Sequence, residues 1–242
     1  MKIIVSPAKN MRVKEEKTTI PYFINNAMEI RDYLRGLNRD SLAKIWKCND
    51  KLLDSNIELL KRIDIENNLT KAIYAYDGLQ FKNLNIESLD NDSINYLNDN
   101  LYILSAMYGA LRANDGVVPY RFDYLSKINF NNYKEMYSYW KSSIFEYISR
   151  DDNIIINLAS KEYSDSITPY NKNCRIINII FGSIKNNKLL VKSTESKMMR
   201  GRFLRFMALN KIDDVEELKK FSNSGLSYNS ILSDENNFVF TS

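Results

Sequence analysis

Eight lysines and arginines stand between residues 185 and 211: Lys185, Lys188, Lys192, Lys197, Arg200, Arg202, Arg205 and Lys211, against a single acid, Glu195. The whole 242-residue chain carries a net charge of only +4, so the cationic density is local and the remainder is net acidic. Concentrated positive charge of this kind attracts phosphate groups. Advancing about 100° per residue places Lys197, Arg200, Arg202 and Arg205 on one side of a helix. Met199, Phe203, Phe206 and Met207 fall on the other side and predict a face docked on a core. Gly201 lies near the middle of the basic side, where glycine costs about 1 kcal/mol relative to alanine. Close approach of a phosphate backbone or of a packed neighbouring helix would account for it. Charged outer faces of amphipathic helices are commonly just solvated, but such faces mix signs, and this one holds four cations and no acid.

A second set of chemical groups follows short apolar runs. Val5 leads into Ser6-Pro7-Ala8-Lys9, Tyr76 into Asp77-Gly78, Leu104 into Ser105 and then Tyr108, and Leu158 into Ala159-Ser160. If these runs are strands of one sheet, their ends line a cleft with Lys9, Asp77, Ser105, Arg112, Asn157, Ser160 and Tyr163, because ligands of α/β sheets collect where strands end. Each cluster taken alone fits ordinary turn chemistry equally well. Lys9 and Asp77 are the candidate acid or base, with Arg112 and Arg200 as phosphate holders. The stretch Pro119-Tyr120-Arg121-Phe122 sets a cation among aromatic rings, a pattern that stacks bases and grips phosphate. Tyr120 and Arg121 are therefore candidate site residues, whereas Trp140, Ile144, Tyr147 and Ile148 at helical spacing read as core.

Composition narrows the chemistry further. Histidine is absent, which removes Ser-His-Asp and Cys-His nucleophile systems and most zinc sites. The two cysteines, Cys48 and Cys174, are far apart in sequence and form neither a disulfide framework nor a paired-thiol motif. No ligand spacing suggests a metal, and no cofactor is expected. Hydrophobic residues at 44% and charged residues at 26% are those of an ordinary globular chain. No apolar run approaches the roughly 18 residues of a membrane span. The first apolar run is three residues long and meets Ser6-Pro7 at once, unlike a secretory leader, so a cytoplasmic location is expected.

These residues must be positioned by alternating short and long elements. Strands are predicted over 2–5, 72–76, 101–104, 154–158, 175–181, 188–192 and 238–241. Helices are predicted over 22–37, 41–47, 51–63, 93–98, 137–149, 196–210 and 215–221. Strands separated by helices argue one α/β domain over 1–242, with a mixed sheet flanked by helices. Asp213 and Glu216 have the spacing of a capping box for the last helix. Helix, short connection and helix would then resemble a DNA-binding helix-hairpin-helix, although Asp213 and Asp214 at its start repel anions and the turn lacks a central glycine.

Seven segments carry a family resemblance in their order and spacing: VSPAK (5–9), YDG (76–78), LSAMYGALR (104–112), PYR (119–121), YSYW (137–140), INLASKEY (156–163) and KMMRGRFLRF (197–206). Over nearly its whole length the chain resembles the YaaA family of bacterial peroxide stress proteins. The resemblance implies a cytosolic protein of the oxidative stress response on a fold of the family's own. It also implies DNA binding through a basic cleft and a helix-hairpin-helix-like element, and a link to limiting free iron and oxidative DNA damage.

Two functions from different classes follow. The first is a DNA-binding stress protein that meets double-stranded or structured DNA through Lys197, Arg200, Gly201, Arg202 and Arg205, with Arg112 and Arg121, largely without sequence preference. The second is an enzyme acting on a nucleotide or nucleobase in a cleft lined by Ser6, Lys9, Asp77, Gly78, Ser105, Tyr108, Tyr120, Asn157, Ser160 and Tyr163. Convergence of these groups on one enclosed pocket favours the second; dispersal weakens it.

Overall fold

Runs of β-branched residues buried on both faces build the centre of the sheet, because parallel strands covered by helices need apolar side chains on either side. In the computed structural model, which describes residues 1–65, 67, 69–186 and 188–242, the strands are β1 (Lys2–Val5), β2 (Thr70–Lys71), β3 (Leu101–Ser105), β4 (Gly109–Arg112), β5 (Gly116–Val117), β6 (Ile154–Leu158), β7 (Arg175–Lys185), β8 (Lys188–Leu190), β9 (Ser222–Asn223), β10 (Leu226–Tyr228) and β11 (Asn237–Thr241). The helices are α1 (Ile24–Arg35), α2 (Arg39–Trp46), α3 (Asp50–Arg62), α4 (Ala72–Ala75), α5 (Leu79–Leu84), α6 (Asn91–Asn100), α7 (Met136–Trp140), α8 (Ser143–Ile148), α9 (Lys161–Ser164) and α10 (Ser193–Asn210).

The main sheet runs β4-β3-β1-β6-β7-β11-β10-β9, with β8 paired to β7, and β2 and β5 form a separate ribbon. Strands β3, β1, β6, β7 and β11 are mutually parallel, whereas β4, β8, β9 and β10 pair antiparallel. The sheet is therefore mixed, within a single α/β domain. Strand β1 has β3 on one side and β6 on the other, so the chain's connections diverge there. Such a switch point opens a crevice beyond the carboxyl ends of the strands. Ile3, Ile4 and Val5 are fully buried and fix β1 in the middle of the core.

Several elements differ from expectation. Residues 72–76 are not a strand: Ala72–Ala75 form a helical turn, and the ladder partner of β5 is the two residues before it. A β-branched run too short to show a period cannot distinguish the two. The helix expected over 137–149 is two short helices, α7 and α8, separated where Lys141 takes a positive φ of 46°. The helix expected over 215–221 is a five-residue 3-10 turn, Glu216–Lys220, in which Asp214 rather than Asp213 accepts from the Glu216 backbone N–H. The second helix of the expected helix-hairpin-helix is thus a short 3-10 helix rather than an α-helix.

Helix α10 packs against α5, β7 and α6. Its closest approach to α5 is at Gly201, which is buried. A Cβ built there would collide with the Gln80 carbonyl oxygen and lie 2.9 Å from the Asn83 Cβ. Of the two explanations for this glycine, a packed neighbouring helix is the one observed. Gly201→Ala should therefore destabilise the protein by about 1–3 kcal/mol through overpacking, against the gain of about 1 kcal/mol that helix propensity alone gives. Chemical denaturation measures it; a stabilised variant would contradict the close approach.

Candidate functional site

The chain leaves β1 at Ser6 and β6 at Ala159 on the same end of the sheet, since the two strands are parallel and Val5 is in register with Leu158. Ser6 Oγ accepts the Ser160 backbone N–H at 2.8 Å and lies 3.2 Å from Ser160 Oγ. This tie holds the two strand ends together and forms one wall of a cavity of about 400 Å³. The Asp77–Gly78 turn and α5 form a second wall, the segment from Tyr120 to Leu125 a third, and Lys197 and Arg200 of α10 close it. A Cβ at Gly78 would sit 2.8 Å from the Ala8 Cβ, so the two loops approach as closely as they do only because that position is glycine.

The structure thus gathers Ser6, Lys9, Asp77, Gly78, Tyr120, Arg121, Ser160, Tyr163, Lys197 and Arg200 around one cavity. Ser105 and Tyr108 do not reach it. Both are buried beneath it: Tyr120 Oη lies 2.7 Å from Ser105 Oγ and 2.9 Å from Tyr76 Oη, and the Tyr108 ring packs edge-on against Tyr120. Asn157 is also internal, donating to Asn178 Oδ1 at 2.9 Å and accepting the Ala159 N–H at 2.9 Å. Arg112 lies at the other end of the sheet. Strand β4 is antiparallel to β3, which pairs Arg112 with Tyr102, and the guanidinium sits 5.9 Å from the Tyr147 ring centroid. It cannot share a ligand with Arg200 in the cleft, contrary to the sequence expectation.

The basic helix is likewise reassigned. Arg202 donates through Nε to Asn83 Oδ1 at 3.0 Å and through Nη1 to Asn223 Oδ1 at 2.7 Å. Arg205 donates to the carbonyls of Leu84 and Asn85 at 3.0 and 3.1 Å. Those carbonyls end α5, where a cation offsets the helix dipole and caps unsatisfied acceptors. Arg202 and Arg205 are accordingly clamps between α10 and α5. Lys197 is exposed at the mouth of the cavity.

Arg200 differs from its neighbours. It is half-buried, its Nε is buried without a hydrogen-bond partner, and among the described residues no carboxylate pairs with it. Burial alone lowers its pKa, yet a guanidinium stays protonated across the accessible pH range. A desolvated cation without a counter-ion is costly, and it faces a cavity that also holds Lys9 and Lys197.

The acids of the site are less available. Asp77 accepts from Arg12 at 3.0 Å and lies 3.4 Å from Lys82, and the Arg12 hydrogen bond holds its carboxyl below the usual range. It is a committed carboxylate, ill suited to the acid or base role expected of it. Arg121 lies 3.4 Å from Asp123, and its carbonyl accepts from Trp46 Nε1 at 2.6 Å. Glu162, which sequence reasoning misses, is the exception. Burial, then the nearby Asp123, raises its pKa, while Lys9 and the backbone N–H groups of Tyr124 and Leu125 oppose the shift. Its Oε1 is buried without a partner, as is Nε2 of Gln80, a residue only 7% exposed. Both residues line the cavity. Glu162 stands two positions after Ser160 in the INLASKEY segment, and that proximity is the one signal the sequence offers.

The chain is an α/β protein with a mixed sheet and, beyond the ends of β1 and β6, a crevice that Lys9, Lys197 and Arg200 line. The family model described as peroxide stress protein YaaA matches residues 1–232, and the chain belongs to that family. Similar curated proteins include UPF0246 proteins of Agathobacter rectalis, 38% identical over 99% of this chain and 98% of the relative, and of Lachnoclostridium phytofermentans, 37% identical over 99% and 96%. One from Pediococcus pentosaceus is 35% identical over 99% and 97%. Family membership supports a role in oxidative stress. No described helix is long and apolar enough to cross a membrane.

The raised Glu162 pKa has a sign that can be checked. In the window between its ordinary and raised values the folded protein binds more protons than the unfolded chain, so its contribution to stability falls as pH rises through that window. Glu162→Gln should remove this loss, and the stability gap between variant and wild type should widen in the variant's favour as pH rises above the ordinary glutamate value of about 4.3. Parallel stability–pH curves from thermal melts would contradict the assignment.

Proposed function

We propose that this chain is a cytoplasmic DNA-binding protein of the peroxide stress response that takes phosphate groups in the cleft at the ends of β1 and β6. Binding is largely independent of sequence and limits oxidative damage to the DNA. The observation that carries this reading is Arg200: an unpaired, partly desolvated guanidinium beside Lys197 and Lys9 is completed by a phosphate oxyanion. The cleft, rather than an exposed face of α10, is the phosphate site in this reading, because Arg202 and Arg205 are already held by Asn83, Asn223 and the carbonyls that end α5. Family membership supports the stress role, and the resemblance in the basic segment supports DNA as the source of phosphate.

One observation favours a second reading, an enzyme acting on a nucleotide or nucleobase. Glu162, with its pKa raised by burial, faces the same cavity as the cations, and a carboxyl held nearer neutrality in a cleft is suited to proton transfer. No nucleophile and base lie together among the described residues of the cleft, so no reaction is assigned.

Fluorescence anisotropy of labelled duplex DNA across a salt series tests the first reading. Removing one phosphate-binding cation lowers the slope of log K against log salt by about 0.9, so Arg200→Gln/Lys197→Gln should bind more weakly with a slope shallower by about two. Arg205→Gln should keep the wild-type slope while lowering thermal stability. Salt-insensitive binding by wild type, or an unchanged slope in the double variant, would refute phosphate binding in the cleft.

A further inference from the structure

Three buried polar atoms without partners belong to residues around one cavity: Arg200 Nε, Gln80 Nε2 and Glu162 Oε1. Buried polar groups are almost always paired, so each orphan calls for a partner. Their chemistry is not uniform. Arg200 is a cationic donor, Gln80 Nε2 a neutral donor and Glu162 Oε1 an acceptor. A bare phosphate would satisfy the first two and be repelled by the third, which lies beside a second acid, Asp123. A ligand that satisfies all three must present an anion at one end and both a hydrogen-bond donor and an acceptor at another.

Size and wall composition narrow it further. About 400 Å³ falls within the range of small-molecule sites, about 300–1,000 Å³. It is too small for a double helix, so what enters it is a single phosphate or one nucleotide unit of a strand. Phe81, Phe122, Tyr120 and Tyr163 supply aromatic surface to the lining. A donor and an acceptor within one cavity lined by aromatic rings are the groups with which proteins read the edge of a base taken out of its stack.

We propose that the cavity binds a single nucleotide unit, with its phosphate at Arg200 and Lys197 and the edge of its base on Gln80 and Glu162. This rests on the cleft being a phosphate site, as proposed above, and adds a base subsite to it. The unit has two sources with the same chemistry: a free mononucleotide, or one nucleotide extruded from a DNA strand. In the second case Lys197 and Lys9 at the rim meet the strand on either side of the extruded unit.

Isothermal titration of the intact protein with deoxyadenosine monophosphate, deoxyadenosine and inorganic phosphate tests the site. The mononucleotide should bind at least tenfold more tightly than either fragment. Glu162→Gln and Gln80→Met, which keep the side-chain size, should each weaken the mononucleotide by roughly tenfold and leave inorganic phosphate unchanged. Duplex DNA carrying 2-aminopurine opposite a mismatch identifies the source. A several-fold rise in its fluorescence on binding shows extrusion, and mononucleotide binding without that rise shows a free nucleotide as ligand. If inorganic phosphate binds as tightly as the mononucleotide, or the two variants weaken both equally, there is no base subsite and the inference fails while the phosphate site stands. If neither phosphate, mononucleotide nor duplex binds, the inference and the proposed function fail together.

Discussion

Helix α10 can carry a charged residue into the interior only because it lies unusually close to α5. Gly201 removes the Cβ that would meet the Gln80 carbonyl, and Arg202 and Arg205 then bridge from α10 to the side chains and terminal carbonyls around α5. Arg200, one residue before the point of contact, is carried by this packing into the crevice beyond β1 and β6. Strand β1, with its fully buried Ile3, Ile4 and Val5, sets the opposite wall. The cleft is thus a joint product of a parallel-strand switch point and a helix pair with no room between its backbones.

The energetics of that arrangement separate structure from function. Arg202 and Arg205 are held by acceptors on and around α5 and contribute to stability. Asp77 has Arg12 and Lys82. The hydroxyls of Tyr76, Tyr120 and Ser105 satisfy one another beneath the floor. Against this background of paired groups, Arg200 Nε, Gln80 Nε2 and Glu162 Oε1 stand out as atoms that folding buries without a partner. Such strain persists where a ligand supplies the missing partners.

Much of this is legible in the residues themselves. Strands β1 and β6 announce themselves because buried parallel strands read as unbroken β-branched runs, and the polar clusters after Val5 and Leu158 do meet across one cleft. The convergence of Lys9 and Ser160 follows from that topology, whereas Asp77 reaches the cleft from the turn after α4 and not from the strand end expected of it. The roles of Arg202 and Arg205 are not legible, because a helical wheel shows which residues share a face but not what covers it. Here α5 covers it, and α5 is itself hard to see as a six-residue helix with no side-chain cap. Arg112 misleads for a related reason: proximity to Ser105 in sequence suggests a shared site, but the tight reversal at Gly109 sends β4 back to the far end of the sheet. Glu162 is hidden because charge alone does not reveal burial.

Thermal denaturation of wild type and Arg200→Met, with and without inorganic phosphate at matched ionic strength, tests the central claim most directly. A half-buried cation without a counter-ion costs stability, and a native-state ligand restores it by mass action. The account predicts that phosphate raises the wild-type Tm by several degrees, that Arg200→Met melts at or above wild type without phosphate, and that the variant gains nothing when phosphate is added. An Arg200→Met protein that responds to phosphate as wild type does would show that Arg200 is not the anion site.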